Sequence, residues 1–223
     1  MATDVFISVG RPCIPSQEAF VVAVEDLLRT NGFSPRAVGR NDFSSKQPLK
    51  FVQELMTGCR GTVIVAFERL YVAEGEEKRG SADCKLVKRE IMPTVWNQIE
   101  AAMAYVLNQP LLVIMEEGSR TEGLLEAGYD WYVLKVKIEP SSINGREFQG
   151  VFADWARRVR DHDIAERKKR TELPPEFDFS RIKIHQFLTL MTPGQLWKFG
   201  AAIAAIIAAA FAFGRYFSHI INP

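Results

Sequence analysis

Short apolar runs alternate with segments of helical periodicity along residues 1–162 of the chain. Continuous apolar runs predict buried strands, and apolar residues recurring every three or four positions predict helices packed on them. The predicted strands cover residues 5–9, 36–38, 62–67, 111–115 and 132–138. The predicted helices cover residues 17–30, 49–56, 94–107 and 147–159, and the polar stretch 72–92 is assigned no element. This alternation predicts an α/β fold, a flavodoxin-like five-stranded parallel sheet with helices on both faces.

A different pattern covers residues 199–214, which carry no charge and include eight alanines. A helix of this length spans about 24 Å, less than the roughly 30 Å hydrocarbon core of a bilayer. Lys198 and Arg215 can snorkel to the two interfaces, and Trp197 favours an interface, so we expect a transmembrane helix. An alanine-rich helix packed on the domain, or one that joins copies of the chain, fits the same residues. The expected segments are an α/β domain, a basic linker with prolines and a membrane tail, at residues 1–165, 166–195 and 196–217.

Small residues recur every four positions in the tail, at Gly200, Ala204, Ala208 and Ala212. Such a stripe lets helix backbones approach closely in lipid, so we expect a homo-oligomer. Basic residues are concentrated before the tail, including the run 167–170. By the positive-inside rule, we expect a single-pass membrane protein whose N-terminal domain lies in the cytoplasm.

The charge balance and the rarer residues exclude several classes of function. There are 28 basic and 27 acidic side chains, a net charge of +1, which argues against a nucleic-acid partner. The three cysteines lack metal-ligand spacing, so we expect reduced thiols and no metal site. The three histidines, at 162, 185 and 219, lie outside the predicted sheet and its helices, which excludes a histidine-dependent catalytic triad there. The chain has neither a Walker loop nor a Gly-x-Gly-x-x-Gly motif.

Two places in the predicted domain are candidates for a site. Ligands of doubly wound sheets bind beyond the carboxyl ends of the strands, which makes Ser8, Gly10 and Arg11 candidate binding residues. The second place is Glu100, which stands four residues after Trp96 on a helix with alanine and methionine neighbours. Its apolar face runs through Val95, Ile99, Ala102, Met103 and Val106, with the glutamate at the edge. Either Glu100 is a functional carboxylate or it points to water, as most glutamates do.

At these residues the chain resembles a TIR domain. The resemblance is carried by Val5-Phe-Ile-Ser8, by Gly39-Arg-Asn-Asp42 and by Trp96-x-x-x-Glu100, in the order that TIR domains use, and it covers roughly residues 3–160. It implies the five-stranded fold and, as in enzymatic members, cleavage of the nicotinamide–ribose bond of NAD with Glu100 as the essential carboxylate. It also implies that residues 40–47 form a mobile loop governing ligand access and self-assembly.

The remaining candidate substrate-binding residues follow from the same resemblance and are Arg40, Asp42, Trp96 and Asn97. The sequence departs from the TIR pattern at three points. Thr94 stands where a serine is usual, Asn97 stands where a cysteine is usual, and the loop after the second strand lacks its customary glycine. The segment from Glu100 to Pro110 and the following strand also resembles nucleoside 2-deoxyribosyltransferases, and the whole is similar to TIR-like effectors of bacterial anti-phage systems.

One carboxylate is sufficient for the chemistry that these resemblances imply. Cleavage of an N-glycosidic bond passes through an oxocarbenium-like transition state, which a carboxylate can stabilise or trap. Nicotinamide leaves from a pyridinium cation as a neutral molecule and needs no proton from a second acid. NAD, or a related nucleotide, is then a substrate rather than a cofactor.

Three functions are compatible with the sequence. The first is a membrane-anchored NAD glycohydrolase that acts in defence or cell death when clustered. The second is a non-catalytic module that senses a nucleotide and, on oligomerisation, drives the tail to disrupt the membrane. The third is a TIR scaffold or adaptor without catalysis.

Overall fold

A computed structural model of the chain describes residues 2–128 and 130–172. The strands of this part are β1 (Thr3–Val9), β2 (Phe33–Arg36), β3 (Thr62–Ala66), β4 (Leu70–Glu77), β5 (Lys85–Met92), β6 (Leu111–Glu116) and β7 (Val133–Val136). The α-helices are α1 (Pro15–Thr30), α2 (Pro48–Gly58), α3 (Val95–Val106) and α4 (Arg146–Glu172), with short 3₁₀ turns at Gly123–Leu125 and Pro140–Asn144.

Five strands form one parallel sheet, in the order β2-β1-β3-β6-β7. Side chains alternate between its two faces, so that Val63 and Val65 of β3 pack in one core and Ile64 packs in the other. The first core also contains the apolar faces of α1 and α4, and the second contains those of α2 and α3. The predicted α/β fold, a five-stranded parallel sheet flanked by helices, is confirmed.

The predicted second strand is displaced from the observed one. The predicted strand covers residues 36–38, whereas β2 covers Phe33–Arg36. Phe33 and Pro35 are the buried positions of β2, opposite Thr3 and Val5 of β1. A prediction based on apolar runs misses this strand because its inward positions are separated by polar residues and one of them is a proline.

The polar stretch 72–92 belongs to an antiparallel hairpin, β4–β5, which the sequence pattern did not predict. Every side chain of the two strands is exposed or intermediate in burial, so neither strand shows the alternation of buried apolar and exposed polar residues that predicts a strand. Arg120, after β6, fastens the hairpin to the domain through ion pairs with Glu77 and Glu90, at 2.9 and 3.0 Å. The Arg120 backbone N–H also donates to the carbonyl of Ile91.

The last described helix extends beyond the predicted domain boundary. α4 continues to Glu172, so the first residues of the predicted linker, 166–172, are helical. Asp163 and Arg167 form an ion pair of 2.9 Å across one turn of this extension. The compact unit that contains the sheet covers Met1–Arg170.

Within residues 2–128 and 130–172, no helix is both long enough and apolar enough to cross a bilayer. The predicted membrane tail, 196–217, lies outside the described residues, as do residues 173–195 of the predicted linker.

Candidate active site

A cavity of about 270 Å³ opens at the carboxyl edge of the sheet. It lies beside β1 and β3, where the strand order reverses and doubly wound sheets bind their ligands. The lining residues come from the ends of three strands and from two helices: Val9, Gly10, Arg11, Val38, Pro48, Val52, Arg69, Thr94, Trp96 and Glu100. Four of the predicted site residues therefore meet in one cavity, namely Gly10, Arg11, Trp96 and Glu100.

α3 turns its small and polar face toward the sheet. Its buried positions are Asn97, Glu100, Ala101 and Ala104, whereas Val106 on the apolar face is 76% exposed. The small alanines let the helix approach β1 and β3 closely, and this approach carries Glu100 inward. The expectation that Glu100 stands at the edge of a buried apolar face is therefore wrong, and so is the alternative that it points to water.

The N-terminus of α3 is set by a capping residue. Thr94 adopts an extended conformation, and its side-chain oxygen accepts a hydrogen bond of 3.4 Å from the backbone N–H of Trp96. With the helix beginning at this point, positions 97 and 100 fall on its inner face. Trp96 falls at the mouth of the cavity, where it is 41% exposed.

Glu100 is the buried carboxylate of the cavity and is only 7% exposed. Burial raises the pKa of Glu100 to about 7, because an ionised carboxylate loses its hydration there, and a hydrogen bond with Ser8 offsets part of that rise. The carboxyl group therefore exchanges its proton near neutral pH. Perturbed pKa values of this kind cluster at functional sites.

Ser8 and Asn97 are not among the residues that line the cavity. Each is 1% exposed. The Asn97 amide nitrogen donates to the Ser8 hydroxyl oxygen at 2.9 Å and to the Ser8 carbonyl oxygen at 3.3 Å. Their position fits contact with Glu100 better than the direct substrate contact expected from the sequence.

Two arginines at the cavity, Arg11 and Arg69, are exposed and form no ion pair with a carboxylate in the described part of the chain. Arg69 donates a hydrogen bond of 3.3 Å to the sulfur of Cys13. By contrast, Arg40 and Arg120 each pair with two or more carboxylates. The guanidinium donors at the cavity are therefore available to an anionic ligand.

Gln17 holds the two loops that carry these arginines. Its side-chain oxygen accepts from the backbone N–H of Cys13 at 2.8 Å, and its amide nitrogen donates to the carbonyl oxygen of Glu68 at 3.1 Å. Gln17 is itself buried, so the loop after β1 and the loop after β3 are fixed relative to each other. Arg11 and Arg69 are thus held on one side of the cavity.

Two predicted binding residues, Arg40 and Asp42, are not among the residues that line the cavity. Arg40 forms ion pairs with Glu18 and Glu25 of α1, at 2.9 and 3.0 Å. Asp42 pairs with Arg36 at the end of β2. Both side chains thus fasten the loop after β2 to the domain, and the structure does not bring them together with Glu100.

Six lining residues are not among the predicted site residues: Val9, Val38, Pro48, Val52, Arg69 and Thr94. For Arg69 a signal existed, because it follows the strongly predicted third strand and the carboxyl ends of parallel strands share one edge of the sheet. Four of the others are valine or proline residues, whose types carry no sign of a site, and Thr94 stands out only as a departure from the TIR pattern.

The described residues contain no group of three or more side chains suited to holding a metal ion. Cys13 and Cys84 are exposed, and Cys59 is buried, which raises the pKa of its thiol to about 12. The chemistry available at the cavity is therefore that of the Glu100 carboxylate, two guanidinium groups and an indole. A buried carboxylate can stabilise positive charge that develops on a ligand, while guanidinium groups suit its anionic part. Comparison with known protein families and with curated proteins finds no match to this chain.

Proposed function

We propose that the protein is a TIR-like NAD glycohydrolase, in which Glu100 is the catalytic carboxylate that acts on the nicotinamide–ribose bond. The observation that carries the proposal is the burial of Glu100 in a cavity at the reversal point of the strand order. The order of the five parallel strands supports a flavodoxin-like, TIR-like arrangement.

The reaction matches the groups that surround the cavity. As the N-glycosidic bond breaks, positive charge develops on the ribose, and an ionised Glu100 stabilises or traps it. The bonding electrons leave with nicotinamide, which departs as a neutral molecule. Water then supplies the hydroxyl group of the ribose product, and its second proton passes to the Glu100 carboxylate and on to solvent. A second carboxylic acid is not needed, which agrees with Glu100 being the one carboxylate among the cavity-lining residues of the described chain.

The positively charged nicotinamide ring of NAD also favours the ionised form of Glu100. In the free protein the pKa of Glu100 is raised to about 7 by burial, so a large fraction is protonated at neutral pH. A cation bound against the carboxylate favours its ionised form. NAD binding is therefore expected to generate the charged form that the chemistry requires.

Arg11 and Arg69 support a substrate that carries phosphates. Guanidinium groups form paired hydrogen bonds with phosphate oxygens, and these two have no competing carboxylate partner in the part of the chain that the structure describes. The diphosphate of NAD would bind there, with the nicotinamide ribose directed toward Glu100.

The cellular setting of the proposal follows from the sequence beyond the described residues. An uncharged, alanine-rich tail after a basic linker suits a membrane anchor with the catalytic domain in the cytoplasm. The stripe of small residues in the tail suits a homo-oligomer, in which clustering would raise activity during defence or cell death.

The test is NAD turnover by the full-length protein, reconstituted in lipid vesicles at low and at high density. We expect nicotinamide release from the wild type at high density and none from Glu100→Gln. Glu126→Gln, at an exposed glutamate outside the cavity lining, is the matched control and should cleave NAD like the wild type. Equal nicotinamide release by the wild type and Glu100→Gln would rule out the proposed mechanism. Tight NAD binding without cleavage would favour the nucleotide-sensing module instead.

A further inference from the structure

We propose that Asn97 is a positioning residue for Glu100, which it serves by orienting the Ser8 hydroxyl toward the Glu100 carboxylate. The proposal rests on the proposed function only in naming Glu100 as the catalytic group. The hydrogen bonds that carry it join Asn97 to the hydroxyl and carbonyl oxygens of Ser8, and the Ser8 hydroxyl in turn lowers the pKa of Glu100.

The fold brings these three side chains to one place. Asn97 and Glu100 are three residues apart, so they lie one above the other on the inner face of α3. Ser8 is near the carboxyl end of β1, and strand alternation places its side chain on the same face of the sheet as Phe6, which packs in the core beneath α2 and α3. The serine hydroxyl thus meets the inner face of the helix.

The direction of the hydrogen bonds is fixed by the Ser8 backbone. A carbonyl oxygen can only accept, so the Asn97 atom that lies 3.3 Å from the Ser8 carbonyl must be the amide nitrogen. The same nitrogen is 2.9 Å from the Ser8 hydroxyl oxygen, which therefore accepts from it. Because that oxygen is already accepting, the single proton of the hydroxyl is free to be donated to Glu100.

Asn97 has a feature that packing alone does not explain. Its amide oxygen is buried and accepts no hydrogen bond from the residues that the structure describes. A buried acceptor without a donor destabilises the fold, and an apolar side chain of similar size would avoid that. Since Asn97 is not among the cavity-lining residues either, the useful part of its side chain is the amide NH₂ that holds Ser8.

Besides the Ser8 hydroxyl, few charged groups are placed to change the pKa of Glu100. The charged side chains that line the cavity with it are Arg11 and Arg69, and α2 faces the cavity with Pro48 and Val52, which are uncharged. Burial raises the pKa of Glu100, whereas the Ser8 hydrogen bond lowers it. Without an oriented hydroxyl, the carboxyl group would keep its proton to a higher pH.

The test follows the titration of Glu100 by NMR in full-length, unliganded protein with ¹³C-labelled glutamate carboxyl groups. Glu100→Gln identifies the signal by its loss. We expect Ser8→Ala and Asn97→Leu each to raise the pKa of Glu100 by about one pH unit, the equivalent of one hydrogen bond to a charged group. Gln98→Leu is the matched control, because this amide on the same helix bonds to Glu122 and Leu124 instead, and it should leave the titration unchanged.

A double substitution tests whether Asn97 acts by orienting Ser8 or whether its substitution disturbs α3 in general. If Asn97 acts through Ser8, adding Asn97→Leu to Ser8→Ala raises the pKa of Glu100 no further. Asn97→Ala, which also lacks the amide and introduces no bulk, provides the same comparison if Asn97→Leu does not fold. The proposal is overturned if either single variant titrates like the wild type, or if the two effects add in full.

The activity profile gives a second readout. At neutral pH the Asn97 variants should lose kcat/KM, which reports the pKa of Glu100 in the free protein, and raising the pH by about one unit should restore it. A loss of kcat/KM that persists at every pH would contradict the proposal. If NAD is not a substrate, the NMR titration still decides the role of Asn97, so failure of the proposed function and failure of this inference are distinguishable.

Discussion

Trp96 and Glu100 line the same cavity from successive turns of α3, yet the indole is 41% exposed and the carboxylate only 7%. The two residues are four positions apart on the helix and so share one of its faces, and we expect the indole to limit the access of water to the carboxylate. Burial is the main cause of the raised pKa of Glu100, and we expect part of that burial to come from Trp96.

We therefore predict that Trp96→Ala lowers the pKa of Glu100 toward the ordinary range of a glutamate. Removing the indole admits water, which stabilises the ionised carboxylate. The measurement is the same carboxyl titration by NMR. Trp96→Phe keeps an aromatic ring at the mouth and should retain most of the elevation, and an unchanged titration in Trp96→Ala would show that the indole does not shield Glu100.

A second prediction contrasts Arg69, which we expect to bind the ligand, with Arg40, which stabilises the fold. Arg69→Gln should raise the KM for NAD about tenfold and leave thermal stability nearly unchanged, because Arg69 is exposed and forms no ion pair with a carboxylate in the described residues. Arg40→Gln should do the opposite. It removes the ion-pair partner that Glu18 and Glu25 share, and Glu25 is buried, so stability should fall by about 1–3 kcal/mol with little change in KM.

Kinetics and thermal melts of the two variants, made in parallel, check this contrast. A higher KM in Arg40→Gln than in Arg69→Gln would mean that the loop after β2 contacts the ligand, as the resemblance to TIR domains implies.

Much of the fold is predictable from sequence because its central strands are buried on both faces. β3 and β6 are continuous apolar runs, and such runs predict buried strands. The β4–β5 hairpin is not predictable in this way, because it packs little of its surface and is fastened by ion pairs such as Arg120–Glu77, which join residues far apart in sequence.

The residues of the candidate site also divide into those that the sequence predicts and those that it does not. Glu100 and Arg11 are predictable, the first from its spacing after Trp96 and the second from its place after a strand. The pairing of Arg40 with Glu18 and Glu25 is not, because a side chain's partner depends on which helix packs beside the loop. The inward turn of α3 was also missed, because Ala101 and Ala104 are less apolar than the valines and isoleucine that the helix exposes.

A third prediction concerns Gly61, between α2 and β3. A Cβ atom built there would lie 2.5 Å from a methyl group of Val159 and 3.3 Å from the Trp155 ring, both on α4. Gly61→Ala should therefore force α4 away from the sheet and lower stability by about 1–3 kcal/mol in chemical denaturation. Gly150→Ala is the matched control, since that glycine lies within α4 with nothing near its Cβ position, and it should raise stability by about 0.5–1 kcal/mol.

The last prediction follows from the raised pKa of Glu100. The folded state holds the proton up to a pH of about 7, while the unfolded chain releases it near the ordinary value of 4.5. The contribution of Glu100 to the stability of the folded state is therefore greatest below pH 4.5. It is lost as the pH rises through the folded-state pKa of about 7. Between pH 5 and pH 8, we expect this one group to remove about 2–3 kcal/mol of stability.

Glu100→Gln has no proton to release, so it should be more stable than the wild type by a margin that grows over the same pH range. The measurement is urea denaturation of both proteins at pH 5, 6, 7 and 8. A margin that is constant with pH would mean that Glu100 titrates alike in the folded and unfolded states, and the buried carboxylate would then lack the property on which the proposed catalysis depends. Saturating NAD should reduce the margin if its nicotinamide ring binds beside the carboxylate, because a cation there lowers the pKa of Glu100 in the folded complex.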